Sequence, residues 1–412
     1  MKPIIVQCES SVIRLLRQRQ ISSRATIASA IGTLCRRSIF LLTIITAAIS
    51  VSSPAFPQEF SWNHVPLYAE LSKNTGDFTP DEVRFLASHF SLITVEKTQS
   101  LKQRGDAAEG TKVAIAQLKA ANPKLKVLVY WNAYVDYERL YKALQRPIPD
   151  AWFLANGVGI QHAGPWRRFD VSNPEFRQWW IDQAVKLVQD TGADGIFVDG
   201  FPQIAANPNL LAAQLGPAKT AAIVDSAHEM LKELRSKLGN STIIVFNGLR
   251  SMPDGWTDGG ASFLKYTSGA LVEHFAFLRN TSKEQIAADM KLIEAAGAGG
   301  KIVIVKGWPA TAVVGGNGQP PPDDPQMPAE ADRDLDFPLA CFLIVASDHS
   351  YFSYSWGYRT QDGWFHWYPA FDRELGPPLG AASRDGWRFK RSFAHADVSV
   401  DLQSKAAAIN WH

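Results

Sequence analysis

The chain has 412 residues, 46% hydrophobic and 20% charged, a globular composition that excludes a wholly disordered protein. That length fits two or three ordinary domains or one large α/β barrel. Lys and Arg number 42 against 40 Asp and Glu, a balance of +2, so no global basic field recruits nucleic acid.

The balance is uneven along the chain. Residues 1–55 hold seven basic residues and one acid, Glu9, which leaves the remainder mildly acidic. Arg36-Arg37 precedes the apolar run Ile39–Val51 and then Ser52-Ser-Pro-Ala55. A positive region, a short apolar stretch and a small-x-small site are the parts of a secretory signal. Residues 1–55 are therefore expected to be a leader directing the chain to a secreted or periplasmic location. The run is short of the roughly 20 apolar residues of a membrane span, so no stable span is expected after cleavage; an uncleaved membrane anchor is the alternative. The paired arginines match the twin-arginine pattern in part.

From residue 65 one theme repeats: a short β-rich run, a loop, then a segment of helical period. The runs are Val65–Ala69, Leu92–Glu96, Lys126–Trp131, Gly195–Asp199, Thr242–Asn247, Ala270–His274, Lys301–Lys306 and Ser350–Tyr354. Most are continuously apolar, as parallel strands covered by helices require. Thr79-Pro-Asp-Glu supplies a cap, a proline and acids for a first helix, with Val83, Leu86 and Phe90 as its buried stripe. Ser172-Asn-Pro-Glu opens another, and Ile223, Ala227, Met230, Leu234 and Leu238 mark a third that Gly239-Asn240 stops. Ser282 and Gln285 cap a helix that carries Ile286, Met290 and Ile293. Eight strands alternating with helices predict an α/β (β/α)8 TIM barrel over residues 62–370; a doubly wound sheet is the competing fold.

Two connections are long, 132–170 and 309–336, the second with Gly315-Gly-Asn-Gly and Pro320-Pro-Pro. Both follow strands, so both belong on the carboxyl-end face. Residues 371–412 alternate and are expected to form a small C-terminal antiparallel β appendage covering an edge or the barrel base. Cys341 sits in the apolar stretch Leu339–Val345 and reads as core. No CxxC, HExxH or His-rich cluster calls for a metal, and no strand is followed by a phosphate-binding glycine loop, so no cofactor is expected.

The strand ends carry the functional signal. They read Glu96-Lys97, Trp131-Asn132, Asp199-Gly200, Asn247-Gly248, Glu273-His274 and Lys306-Gly-Trp308. In a barrel these ends converge on one pocket. Asp199 follows three apolar residues and precedes a glycine that lets the backbone turn away; the plainer reading is an Asx turn or helix cap. Glu273 is the second candidate, against a solvated strand end, while Glu96 and Lys306 are equally compatible with ion pairs. Two carboxylates across a cleft can cleave an acetal, one protonating the leaving oxygen and the other attacking or activating water. Rings suit the apolar faces of a sugar, and Trp131, Trp308 and Tyr351 are candidates for substrate binding, with Glu96, Asn132, Asn247 and Lys306 orienting hydroxyls or tuning the acids.

The segments Arg168–Trp180 and Gly192–Gly200 resemble the fourth-strand region of retaining glycoside hydrolases related to α-glucosidases and α-galactosidases. Val65-Pro-Leu-Tyr68, Phe90–Lys97, Ser350–Ser355 and Arg391–Val398 resemble glycosyl hydrolase-like family 15, over roughly residues 62–411. The first resemblance implies Asp199 as nucleophile and Glu273 as acid/base, although that group uses aspartate at the latter position. The expectation is an exported hydrolase of a poly- or oligosaccharide, its pocket raising the proton affinity of Glu273. A non-catalytic glycan-binding barrel and a polysaccharide lyase, for which Lys97 and Lys306 would neutralise a uronate, are the rivals.

Overall fold

The computed structural model describes residues 60–204, 208–251, 256–276, 282–312 and 325–412. The expected leader, Gly315-Gly-Asn-Gly and Pro320-Pro-Pro lie outside the described residues.

Eight parallel strands pair in chain order: β1 (Tyr68–Leu71), β2 (Leu92–Val95), β3 (Lys126–Asn132), β4 (Gly195–Asp199), β5 (Ile243–Asn247), β6 (Gly269–Val272), β7 (Ile302–Gly307) and β8 (Ser350–Tyr354). Parallel bridges from Leu67 to Phe352 and from Ser72 to Arg359 close the ring, with Phe352 N–H donating to the Pro66 carbonyl at 2.8 Å. The closure continues past β8, because Ser72 N–H bonds the Tyr358 carbonyl at 2.9 Å and so fixes Tyr358 at the carboxyl-end face. The expected TIM barrel is the observed fold.

The helices start where local chemistry dictates. In α1 (Pro80–His89) the Thr79 hydroxyl accepts from Glu82 N–H at 3.3 Å while the Glu82 carboxylate accepts from Thr79 N–H at 2.7 Å. That reciprocal cap satisfies two donors a helix start leaves open. Between β2 and β3 runs α2 (Ala107–Ala121), and α3 (Pro174–Thr191) is capped by the Asn173 side chain, which accepts from Glu175 and Phe176 N–H. Then follow α4 (Pro217–Leu238), α5 (Lys283–Ala298), α6 (Met327–Asp334) and α7 (Asp336–Val345). The described connection from β5 to β6 holds only a 3-10 turn, Ala261–Lys265, so the helical layer is thinner there.

No α-helix follows β8. Instead an antiparallel sheet of β9 (Ser383–Asp385), β10 (Arg388–Phe393), β11 (Ala396–Asp401) and β12 (Ala406–Trp411) packs on α7. The sheet thus covers a helix; of the two expected placements, an edge or the barrel base, the edge is excluded because the ring is closed. Packed between barrel and sheet, α7 buries Pro338 through Val345 without a polar face. This explains the uninterrupted apolar run, and burial pushes the Cys341 thiol pKa up. Arg391 donates to the carbonyls of Leu343 and Ile344 at 3.0 and 3.3 Å, so the sheet also supplies the cation that ends the helix.

Candidate active site

Alternation along the strands turns every second side chain into the barrel. The lower and middle interior is apolar: Leu92, Leu128, Phe197, Ile243, Val245, Leu271, Ile302 and Ile304, with Phe60 below against Tyr351 and His349. Further along the same inward face of β1 to β7, beyond Thr94 on β2 and Tyr130 on β3, the character changes to Glu70, Glu96, Asn132, Asp199, Asn247, Glu273 and Lys306. Glu70, Glu96, Asn132, Asn247 and Lys306 are buried, whereas Asp199 and Glu273 keep partial exposure. Those two are the cluster's carboxylates that reach open space.

Asp199 receives three donors. Its Oδ2 accepts from Tyr130 Oη–H and from Asn132 Nδ2 at 3.1 Å; its Oδ1 accepts from Asn247 Nδ2 at 2.9 Å. Burial and the Asp199 charge raise the Tyr130 pKa well above its ordinary value, so the phenol stays a donor. Asn132 is aimed by its own backbone: its Oδ1 accepts from Tyr134 and Val135 N–H at 2.8 and 2.9 Å, leaving Nδ2 for Asp199. Trp180 Nε1 donates to the Asn132 carbonyl at 2.8 Å and holds that strand end from outside. Gly200 has φ +90°, and a Cβ there would meet Tyr134 Cβ at 2.6 Å, so the chain turns away from Asp199 only with glycine.

Asn247 links the two part-exposed acids. The Nδ2 that serves Asp199 also donates to Glu273 Oε2 at 2.7 Å. The two oxygens are therefore no farther apart than the sum of those two bonds. Glu273 Oε1 accepts from Tyr358 Oη–H, and Oε2 faces Arg250 Nη2 at 3.7 Å and His274 Nε2 at 3.5 Å. Burial alone would raise its pKa; the charges of His274 and Arg250 and the bonds from Tyr358 and Asn247 outweigh burial and hold it at about 2. Burial pushes His274 itself below its ordinary value, so near neutral pH Arg250 and the two donors do that work. The pocket thus lowers the proton affinity of Glu273, contrary to the expectation from an apolar environment.

Proton affinity is raised elsewhere. Burial lifts Glu70 well above the ordinary carboxylate range, and the charges of Glu96, Glu273 and Asp199 add to it. Burial also raises Glu96, opposed by Lys97, whose ammonium pairs with it. Lys97 lies 4.7 Å from the centre of the Tyr130 ring and 5.6 Å from that of Tyr137, which packs edge-on against Trp166 at 5.2 Å. The long 132–170 connection therefore brings Tyr137 and Trp166 to the cluster.

Three candidate binding residues lie elsewhere or face inward. Trp131 points outward from β3 into a ring cluster with Tyr141, Trp179 and Trp180, because only its neighbours Tyr130 and Asn132 enter the lumen. Tyr351 sits at the opposite end of the barrel from the acids. Lys306 is fully buried, donates to Ser355 Oγ at 2.7 Å and lies 4.1 and 5.0 Å from the ring centres of Trp308 and Trp364. Burial lowers its pKa to about 7 against the pull of Glu70, Glu273 and Asp362. Trp308 does belong to the site wall: its Nε1 donates to the Glu273 carbonyl at 2.7 Å and its ring stacks on His274.

Four contributors escaped the sequence reading. Glu70 follows Tyr68 by two and shares its inward face, a signal available had the first run been extended past Ala69. Tyr130 reads as strand packing. Arg250 and Tyr358 stand in irregular segments, and nothing local marks them.

The profile of hypothetical glycosyl hydrolase family 15 matches residues 119–397, which include β3 to β8 and, of the C-terminal sheet, β9, β10 and the start of β11. The chain belongs to this family. Its members are grouped as glycoside hydrolases, and the enzyme class follows from that membership. No curated protein matches the chain. Among solved structures, the α-amylase of Geobacillus thermoleovorans complexed with acarbose is 12% identical, with TM-score 0.45 over 83% of this chain and 87% of that one. A GH31 dextranase of Flavobacterium johnsoniae complexed with glucose is 14% identical, with TM-score 0.44 over 76% and 38%. A cycloisomaltooligosaccharide glucanotransferase of Paenibacillus sp. is 16% identical, with TM-score 0.40; this family 15 chain spans 39% of its length and matches over 60% of its own. At such low similarity these structures add nothing to the barrel that its strand pairing does not establish.

Proposed function

We propose that this barrel hydrolyses glycosidic bonds of a poly- or oligosaccharide with Asp199 as nucleophile, after export through the basic leader. One observation carries the reading: a single amide, Asn247 Nδ2, bridges Asp199 and Glu273, the two part-exposed carboxylates of the cluster. Bonds of 2.9 and 2.7 Å to one nitrogen keep their nearest oxygens short of the roughly 6.5–9.5 Å that lets a water in between, on the side of retaining glycosidases. Three donors on Asp199 keep an anion oriented for attack at an anomeric carbon. Tyr137 beside Lys97, with Trp166 packed against it, supplies rings at the edge of the cluster for the apolar face of a sugar.

The proton for the leaving oxygen comes from Glu273, which takes one up once a saccharide has excluded water and parted it from Arg250, so that desolvation is opposed only by the bonds from Tyr358 and Asn247. A second assignment is favoured by the direction of the shifts: Glu96, raised by burial in the free protein, is already the better proton holder. The two are separated with polysaccharides and aryl glycosides whose leaving group needs no proton. The acid's Gln variant loses polysaccharide cleavage and keeps much of the aryl glycoside rate; the nucleophile's Asn variant loses both. If Asp199→Asn retains either activity, the reading is wrong. Export is tested by the N-terminus of the chain recovered outside the producing cell, expected just past Ala55.

A further inference from the structure

Outside the barrel lumen, a groove of about 540 Å³ is lined by Trp152, Glu175, Gln178, Trp179, Asp182 and Gln183. Trp152 ends a 3-10 turn in the long connection after β3, and the others lie along one side of α3 at the spacing of successive turns. The two indoles meet at 5.5 Å with 39° between their planes. Trp152 is half-buried; Trp179 is nine-tenths buried, and its Nε1 has no acceptor among the described residues. Gln178 and Asp182 stand exposed beside these rings.

We propose that this groove binds a strand of neutral polysaccharide outside the catalytic centre, an inference that rests on the saccharide reading of the lumen. Rings flanked by amides and a carboxylate match the amphipathic surface of a pyranose, apolar on its C–H face and hydroxylated at its rim. The local charges are matched in number: Asp182 is paired with Lys237 at 2.6 Å, Glu175 accepts from Trp152 Nε1 at 3.4 Å, and the Arg146 guanidinium lies 5.4 Å from the centre of the Trp179 ring. A groove without net charge favours a neutral glycan over a uronate or amino-sugar polymer. Its position also serves the site. Helix α3 runs antiparallel to the strands, so its first turns lie toward the carboxyl-end face, and the residue after Trp179 is the Trp180 that fixes Asn132. A chain held here is kept beside the cleft, which raises its effective concentration there.

The test is affinity electrophoresis of the full-length chain through gels containing amylose, dextran or galactomannan, with polygalacturonate and chitosan as charged comparators. The wild type is expected to be retarded by at least one neutral polymer. Trp152→Ala and the double variant Gln178→Ala/Gln183→Ala should bind that polymer about tenfold more weakly, the double variant without disturbing the ring packing. Asp199→Asn should be retarded like wild type, and a short aryl glycoside should be cleaved equally by wild type and both groove variants. Retardation unchanged in both groove variants, no retardation by any neutral polymer, or retention by the charged polymers alone overturns the proposal. Retention lost in the groove variants with no cleavage by the wild type would sustain the groove and end the hydrolase reading instead.

Discussion

The two ends of the barrel interior are built on the same strands, two residues apart, yet do opposite work. Toward the amino end, Leu92, Phe197, Ile243, Val245 and Ile302 fill the lumen with carbon. One inward position further, Asp199, Asn247 and Glu273 replace them with a bonded network of charge. Carbon packing is insensitive to pH and tolerates nothing smaller; a charge network is sensitive to both pH and every donor. The contrast teaches that stability and chemistry are separated along the barrel axis, not among strands.

The sharpest way to break that separation is to alter the charged end. Glu273→Gln is expected to lower polysaccharide cleavage by about 10²–10⁴-fold, the range for a lost acid/base, and to lower the unfolding midpoint in urea at neutral pH as well, since the stabilised anion is lost. Next is Phe197→Ala, directly below Asp199 on β4. It is expected to cost about 3–5 kcal/mol of stability, read from urea unfolding, because the closed ring cannot collapse onto the cavity. If Phe197→Ala were neutral for stability, the lower interior would not be the packed core described here.

Tyr358→Phe sharpens the contrast through pH. The folded pKa of Glu273 is about 2 against an ordinary 4.5, so its ion contributes stability fully above pH 4.5 and loses it as pH falls toward 2. Removing one donor raises the folded pKa and shrinks that contribution, by about 1.5–3 kcal/mol for a bond to a charged group. Acid unfolding of the variant should begin at higher pH than wild type. An unchanged acid limb would remove Tyr358 from the network. The smallest effect on activity is expected at Trp131→Phe, outside the ring: no change in kcat/KM, with a stability loss under about 3 kcal/mol.

Much of this was legible in the chain. The eight apolar runs became the eight strands, since parallel strands buried on both faces must be carbon-rich wherever they lie. Asp199, Asn247 and Glu273 stood out because polar residues end such runs at one common face. What failed was direction. Trp131 and Tyr351 are aromatic and near strand ends, but the two-residue alternation sends Trp131 outward, and Tyr351 begins its strand instead of ending it. Glu70 was hidden by a strand boundary drawn two residues early. Tyr358 is brought in by barrel closure between the first and last strands, a long-range event with no local trace.

The central claim is that Asp199 attacks a glycosidic bond. The most direct measurement counts reducing ends released from a panel of α- and β-linked polysaccharides by purified wild type and by Asp199→Asn. The account predicts release by the wild type, a loss of at least about a thousandfold in the variant, and matched unfolding midpoints. Equal release by both proteins would contradict it.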